Sequence, residues 1–272
     1  MGGETYVVRE RFYVPTFVYP SLGLLALMTL GTWTRWAQTG LRGIYLLAIS
    51  FIGLLVLALV LGFGSNLPLR AGLMFALGLW VLVATVGAWA AQVRRPSNLT
   101  KIPLRGHGWA LAHLGLAVAT LGMAGSSLLS QERIFVFEGA QNREFFGQEF
   151  VIRPRLWLRD ENFQALATAI EIPGRGIRLA ETRLYHPLAS TLNPAQSAED
   201  QAFLVDQGQP ASEAAIFRGW LFDTFINVQD RNGGPPLMTI ARKVGINWIW
   251  LGAILMSLGG LLALAPLRRR KT

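Results

Sequence analysis

The stretch 107-HGWALAHLGLAVATLGMAGSSLL-129 decides how this chain is to be read. It contains no Asp, Glu, Lys or Arg, and its polar groups are two histidines near its start, a threonine and two serines. A helix needs about 20 apolar residues to cross a hydrocarbon core about 30 Å thick, so the stretch predicts a membrane-spanning helix. Outward from it lie similar runs at about 14–34, 43–63 and 71–92, joined by short segments rich in charges and breakers. A further run follows at about 246–266. The chain as a whole is 52% hydrophobic and 15% charged, whereas a soluble domain carries about a quarter charged residues. The fold expected is a membrane protein, an α-helical transmembrane bundle of five spans.

Charge gives the expected orientation. Arg35, Arg42, Arg94, Arg95, Lys101, Arg105, Arg268, Arg269, Arg270 and Lys271 fall on one side of a five-span arrangement. The short segments of the opposite side hold Arg9, Arg11 and Arg70. The positive-inside rule then puts the C-terminus in the cytoplasm and residues 130–245 outside. The expected domains are an extracytoplasmic segment 1–13, a four-helix region 14–129, an extracytoplasmic domain 130–245, a fifth span 246–266 and a basic cytoplasmic tail 267–272. The first thirteen residues mix acidic and basic groups and no cleavage pattern follows, so the first span is expected to stay as an anchor. The net charge of +9 sits in clusters beside apolar runs, which suits topology and anionic lipid rather than nucleic acid.

The outside segment reads as β-rich. Ile134–Phe137, Glu149–Ile152, Leu156–Leu158, Ala167–Ile172 and Ile177–Leu179 are short β-type runs, with Gly139, Gly147 and Pro173-Gly174 as turns. They predict a small antiparallel sheet or barrel. Residues 187–212 read as a long polar loop, Phe217–Val228 as a strand or an interfacial helix, and Leu237–Arg242 as a last strand before the fifth span.

There is no cysteine, which excludes disulfides, a thiol relay and a haem covalently held by this chain. Among ionisable groups in the spans, His113 stands out, because a polar group inside a bilayer is costly and a functional candidate by default. It lies about 12 Å along the helix from Arg105. A neutral imidazole there can pack and hydrogen-bond, relay protons, or ligate a metal or haem iron. The small residues Gly115, Ala117, Ala119, Gly122, Ala124 and Gly125 permit close approach of another helix or of a flat macrocycle. His107 is six residues away, so on a regular helix the two rings diverge by about 120° and cannot share one iron. An interfacial place beside Arg105 suits it, and His186 reads as a surface residue or an outside ligand.

Four segments carry a resemblance. Trp109-Ala110-Leu111-Ala112-His113-Leu114-Gly115-Leu116-Ala117-Val118-Ala119 is similar to the histidine-bearing membrane helix of the CcmF family, the haem lyase component of bacterial System I cytochrome c maturation. Ser212-Glu213-Ala214-Ala215-Ile216 with Phe222-Asp223 resembles a second motif of that family. Trp248-Ile249-Trp250-Leu251-Gly252, with Met256 and Leu258-Gly259-Gly260-Leu261-Leu262, resembles its terminal helix, and Phe12–Trp36 an earlier span. The match covers the C-terminal part of the family pattern.

That resemblance implies that His113 is one axial ligand of a membrane haem b, its second ligand coming from another polypeptide. It marks Glu213 and Asp223 as further candidates and leaves His186 open, since the 187–211 stretch is longer than the family pattern. The implied partners are an N-terminal CcmF-like chain carrying a tryptophan-rich loop, a haem chaperone, apocytochrome c with its thiol-handling subunit, and membrane lipid. The implied setting is the bacterial inner membrane. The implied activity is attachment of haem vinyl groups to apocytochrome cysteines, with this chain inactive alone. A membrane-anchored scaffold without haem is the alternative, and a transporter-like subunit would need more polar groups in the spans.

Overall fold

In lipid, backbone polar groups must be satisfied within the chain, and the apolar runs do so as helices. The computed structural model describes residues 14–33, 51–53, 56, 59, 60, 69–93, 102–160, 163–185, 211–231 and 234–264. The continuous helices among the described residues are α1 (Tyr19–Trp33), preceded by a π-helical turn Val14–Val18, α2 (Leu69–Val93), α3 (Leu104–Leu128) and α4 (Ile246–Ala263). Among the described residues α2, α3 and α4 are long and apolar enough to cross a membrane, and the first apolar helix is shorter. Most of the expected second span, and the basic residues 94, 95, 101 and 268–271, lie outside the described residues. Helix α3 starts three residues before the stretch quoted above, at Leu104, just after Pro103. The Pro103 carbonyl accepts from the backbone N–H groups of Gly106 and His107.

The chain divides into two units, one of helices (1–128 with 245–272) and one of strands (Leu129–Val244). In the helical unit, α2 meets α1 and α3 around Leu25, Leu77, Trp80, Val81 and Ala117. Helix α3 packs on α4 through glycines. A Cβ on Gly108, Gly115 or Gly122 would stand 2.5–2.7 Å from backbone atoms of Gly259, Met256 and Gly245 respectively. The opposing glycines of α4, Gly245, Gly252 and Gly259, are equally closed by the α3 backbone. Glycine thus recurs every seven residues on both antiparallel partners, the heptad spacing that keeps one seam facing a neighbour along its length. Gly245 also sits at φ 81° as the N-cap of α4, a conformation costly for other residues. Outward, Leu24, Leu27, Val83, Ile254, Leu258 and Leu261 are exposed, as lipid-facing side chains are.

The strand unit consists of two antiparallel sheets, ordered β1-β9-β8-β7 and β2-β3-β4-β5-β6. The strands are β1 Gln131–Val136, β2 Gln141–Phe145, β3 Gln148–Arg159, β4 Phe163–Ile172, β5 Gly176–Tyr185, β6 Ala211–Glu213, β7 Ala215–Phe217, β8 Phe222–Arg231 and β9 Gly234–Val244. Phe150, Ile152, Ile170, Ile172 and Ala180 of one sheet share a core with Ala215, Phe217, Ile226, Val228, Met238 and Ile240 of the other. Two facing sheets, rather than one sheet or a barrel, are therefore what forms. Phe217–Val228 is neither a single strand nor a helix: Phe217 ends β7, a turn at 218–221 follows, and β8 begins at Phe222. A bulge in β3 between Ile152 and Arg155 accommodates Pro154, which has no N–H for a ladder. Arg155 and Asp230 join the sheets by a bidentate ion pair at 2.5 and 2.9 Å, both side chains nearly buried.

Candidate functional site

His113 stands on α3, half-buried. Its Nδ1 is 2.9 Å from the carbonyl oxygen of Trp109, one turn back. A carbonyl can only accept, so Nδ1 carries the proton and, in the neutral ring, Nε2 keeps its lone pair. The Trp109 ring lies 4.8 Å from the imidazole between centroids, fixing its orientation from the side. A ring locked at one nitrogen with the other basic is how metal-ligating histidines are commonly held, although the same bond serves a histidine that only packs.

The direction of His113 follows from helix geometry. At about 100° per residue, it stands some 140–180° around the helix from Gly108, Gly115 and Gly122. Those three face α4, so His113 faces away from α4. The small residues that left room for a helix or a macrocycle are thus divided. The glycines are filled by α4, while Ala117 and Thr120 belong to the stripe that includes His113 and are buried towards α2. Contacts of Thr120 beside Gly78 and of His107 with Trp89 fix the antiparallel register of α2 and α3. Interpolating between them brings Ala84 and Thr85 level with His113. Both are buried, and Thr85 Oγ1 has no hydrogen-bond partner among the described residues. By contrast Thr120 and Ser257 donate to the carbonyls of Leu116 and Ala253, as hydroxyls in apolar helices usually do.

His107 is differently employed. Trp89 Nε1–H donates to its Nδ1 at 3.3 Å, and the two rings meet edge-on at 6.2 Å. With Nδ1 accepting, the neutral ring carries its proton on Nε2 and offers no lone pair there. Among the described residues no three His, Asp or Glu come together as a metal site.

The remaining candidates do not gather around His113. Asp223 is buried at the start of β8 and accepts from the backbone N–H of Gly219 at 2.9 Å, closing the 218–222 turn. Glu213 is exposed on β6, in the other sheet, 3.8 Å from Arg183. Arg183 also donates to Glu181 at 2.7 Å, and its guanidinium is held above the usual arginine range by hydrogen bonds to Tyr185 and Glu181. His186 and the 187–210 part of the polar loop lie outside the described residues. Sequence reading missed Trp109, Thr85 and the Arg155–Asp230 pair. Only the first left a signal, its four-residue spacing from His113.

Comparison with known proteins gives a consistent result. No protein-family model matches the chain. The cytochrome c-type biogenesis protein CcmF of Escherichia coli (strain K12) is 28% identical over 275 residues, covering 100% of this chain and 40% of that protein. CcmF of Pseudomonas fluorescens is 27% identical over 277 residues, covering 99% of this chain and 40% of its own length. Among solved structures, a cytochrome c haem lyase CcmF superposes with a TM-score of 0.65 at 18% identity, over 95% of this chain and 41% of that one, a likeness of fold. The chain is similar along nearly its whole length to the C-terminal part of CcmF. It spans about 40% of the length of the curated relatives it matches.

Proposed function

We propose that the chain is the C-terminal portion of a membrane haem lyase in cytochrome c biogenesis, and that His113 is one axial ligand of a membrane haem b. The observation that carries the ligand assignment is the Nδ1–H bond from His113 to the Trp109 carbonyl, which leaves Nε2 basic on the face of α3 turned from α4. The residues fit one end of an axial site. Nε2 supplies an imidazole nitrogen donor that suits iron, small residues of α2 stand level with it, and the apolar helices exclude water. His107 is engaged with Trp89, so the opposite ligand comes from the portion of the relatives that this chain does not span. Haem b would supply one-electron chemistry that keeps the iron of the transferred haem reduced. Around it, this chain's residues do three things: the Trp109 carbonyl fixes the tautomer of the imidazole, the Trp109 ring orients it, and the α3–α4 glycine seam holds α3 rigid.

In this reading the strand unit, outside the bacterial inner membrane, is the docking domain, and the assembly includes an N-terminal CcmF-like chain, a haem chaperone and apocytochrome c with its thiol-handling subunit. Purification of the chain with its N-terminal partner, followed by a dithionite-reduced spectrum, tests it. A b-type band is expected, and His113→Ala is expected to remove it together with cytochrome maturation.

A scaffold without haem is the second reading, supported by the same bond, since a carbonyl one turn back satisfies a packing histidine. It differs in outcome: no b-type band in the complex, and normal maturation with His113→Ala.

A further inference from the structure

The β7–β8 turn carries an unusual pair of side chains. Trp220 is 69% exposed and Leu221 55% exposed, although water disfavours both. On either side of them are basic groups. Arg218 precedes the pair, and Arg175 reaches across from the β4–β5 turn to donate to the carbonyls of Phe217 and Arg218, each at 3.0 Å. Arg175, Arg178 and Arg218 line a groove of about 450 Å³ with Gly174, Ile216 and Phe217. Arg242 lies 3.6 Å over the ring of Phe222.

Three carboxylates of this end are already engaged. Asp223 accepts from Gly219, Glu132 lies 3.9 Å from Lys243, and Glu171 is paired with Arg153 at 2.8 Å. Among the described residues Arg178 and Arg218 form no ion pair. An exposed Trp-Leu tip beside a groove of guanidinium groups suits a partner that is apolar below and anionic at its surface.

Chain connectivity says which partner that is. In the ladder, Phe222 is opposite Val244, two residues before α4 begins at Ile246. The other strand leading from a helix enters at the same edge, where Gln131 pairs with Arg242 and Ser130 Oγ accepts from the N–H of Val244. The tip and the groove are therefore at the end of the strand unit from which the chain passes into two helices able to cross a membrane.

We propose that this end is a lipid-binding site: Trp220 and Leu221 dip into the interfacial region of the bilayer, and Arg175, Arg178 and Arg218 hold the phosphate of an anionic lipid headgroup. Aromatic belts and juxtamembrane guanidinium groups act in this way at helix ends. Here the device belongs to a folded turn. The assignment stands without His113 and without haem.

The absence of native cysteine makes the test direct. A nitroxide is attached at Leu221→Cys in the full chain, with Tyr185→Cys as the control. Tyr185 is 43% exposed and ends β5, about 30 Å along the strand from the groove. Collision with oxygen and with a water-soluble nickel chelate is measured in nanodiscs of phosphatidylcholine with and without phosphatidylglycerol. The expected result is an interfacial depth at position 221 that increases with phosphatidylglycerol, and an aqueous signature at 185. Arg175→Gln/Arg178→Gln should abolish the lipid dependence while the 185 signal stays unchanged. Inorganic phosphate added to phosphatidylcholine discs should leave the depth unaltered. An aqueous signature at 221 in both lipids would overturn the proposal. So would protection of 221 from both colliders in detergent, which would mean that protein covers the tip.

Discussion

Arg155 and Asp230 come from strands in different sheets, 75 positions apart, and form the least exposed ion pair described in the strand unit. Removing one partner leaves the other charge buried, which costs about 3–5 kcal/mol, whereas replacing both by apolar side chains is often neutral. Asp230→Ala should therefore lower the denaturation midpoint of the strand unit sharply, and Arg155→Met/Asp230→Leu should recover most of it, followed by β-sheet circular dichroism. Arg183 behaves otherwise. Its pKa is raised by Tyr185 and Glu181, so the stabilisation holds below the ordinary arginine pKa and fades only above it, beyond any working pH. Nothing in the sequence could show that Arg155 meets Asp230, because the pairing depends on two sheets facing each other. His113 was legible, since an ionisable residue in an apolar helix is conspicuous. Its Trp109 acceptor was implicit in the four-residue spacing.

The described helices lie close to where hydropathy puts four of the five expected spans, since length and absence of charge are local properties. The α3–α4 seam was written in the sequence as Gly108, Gly115, Gly122 and Gly245, Gly252, Gly259. It had no meaning until the two runs were known to pair antiparallel across the inserted strands. Gly115→Ala sets a Cβ 2.5 Å from the Met256 nitrogen and should cost about 1–3 kcal/mol through overpacking. Gly260→Ala meets nothing within 4 Å and should be neutral, or gain up to about 1 kcal/mol from helix propensity. Thermal melting of the two variants in detergent checks the contrast. Phe217–Val228 was ambiguous because apolar content alone does not separate strand from helix. The turn at Arg218-Gly219, closed by Asp223, resolves it into two strands.

At the scale of the molecule, a two-sheet unit is inserted between two apolar helices that pack on each other through glycine. If basic residues orient it as proposed, Glu144→Cys on β2 should react with an impermeant maleimide in intact cells, and a cysteine placed at position 272 should not. The chain spans about 40% of the relatives it matches, and His113 is proposed as one imidazole of an axial pair. The central claim is therefore a property of the assembled complex. Its most direct measurement is the dithionite-reduced absorption spectrum of that complex carrying His113→Gly, before and after addition of imidazole. The account predicts loss of the b-type band on substitution and its return with imidazole. A band that persists unchanged in His113→Gly would contradict it.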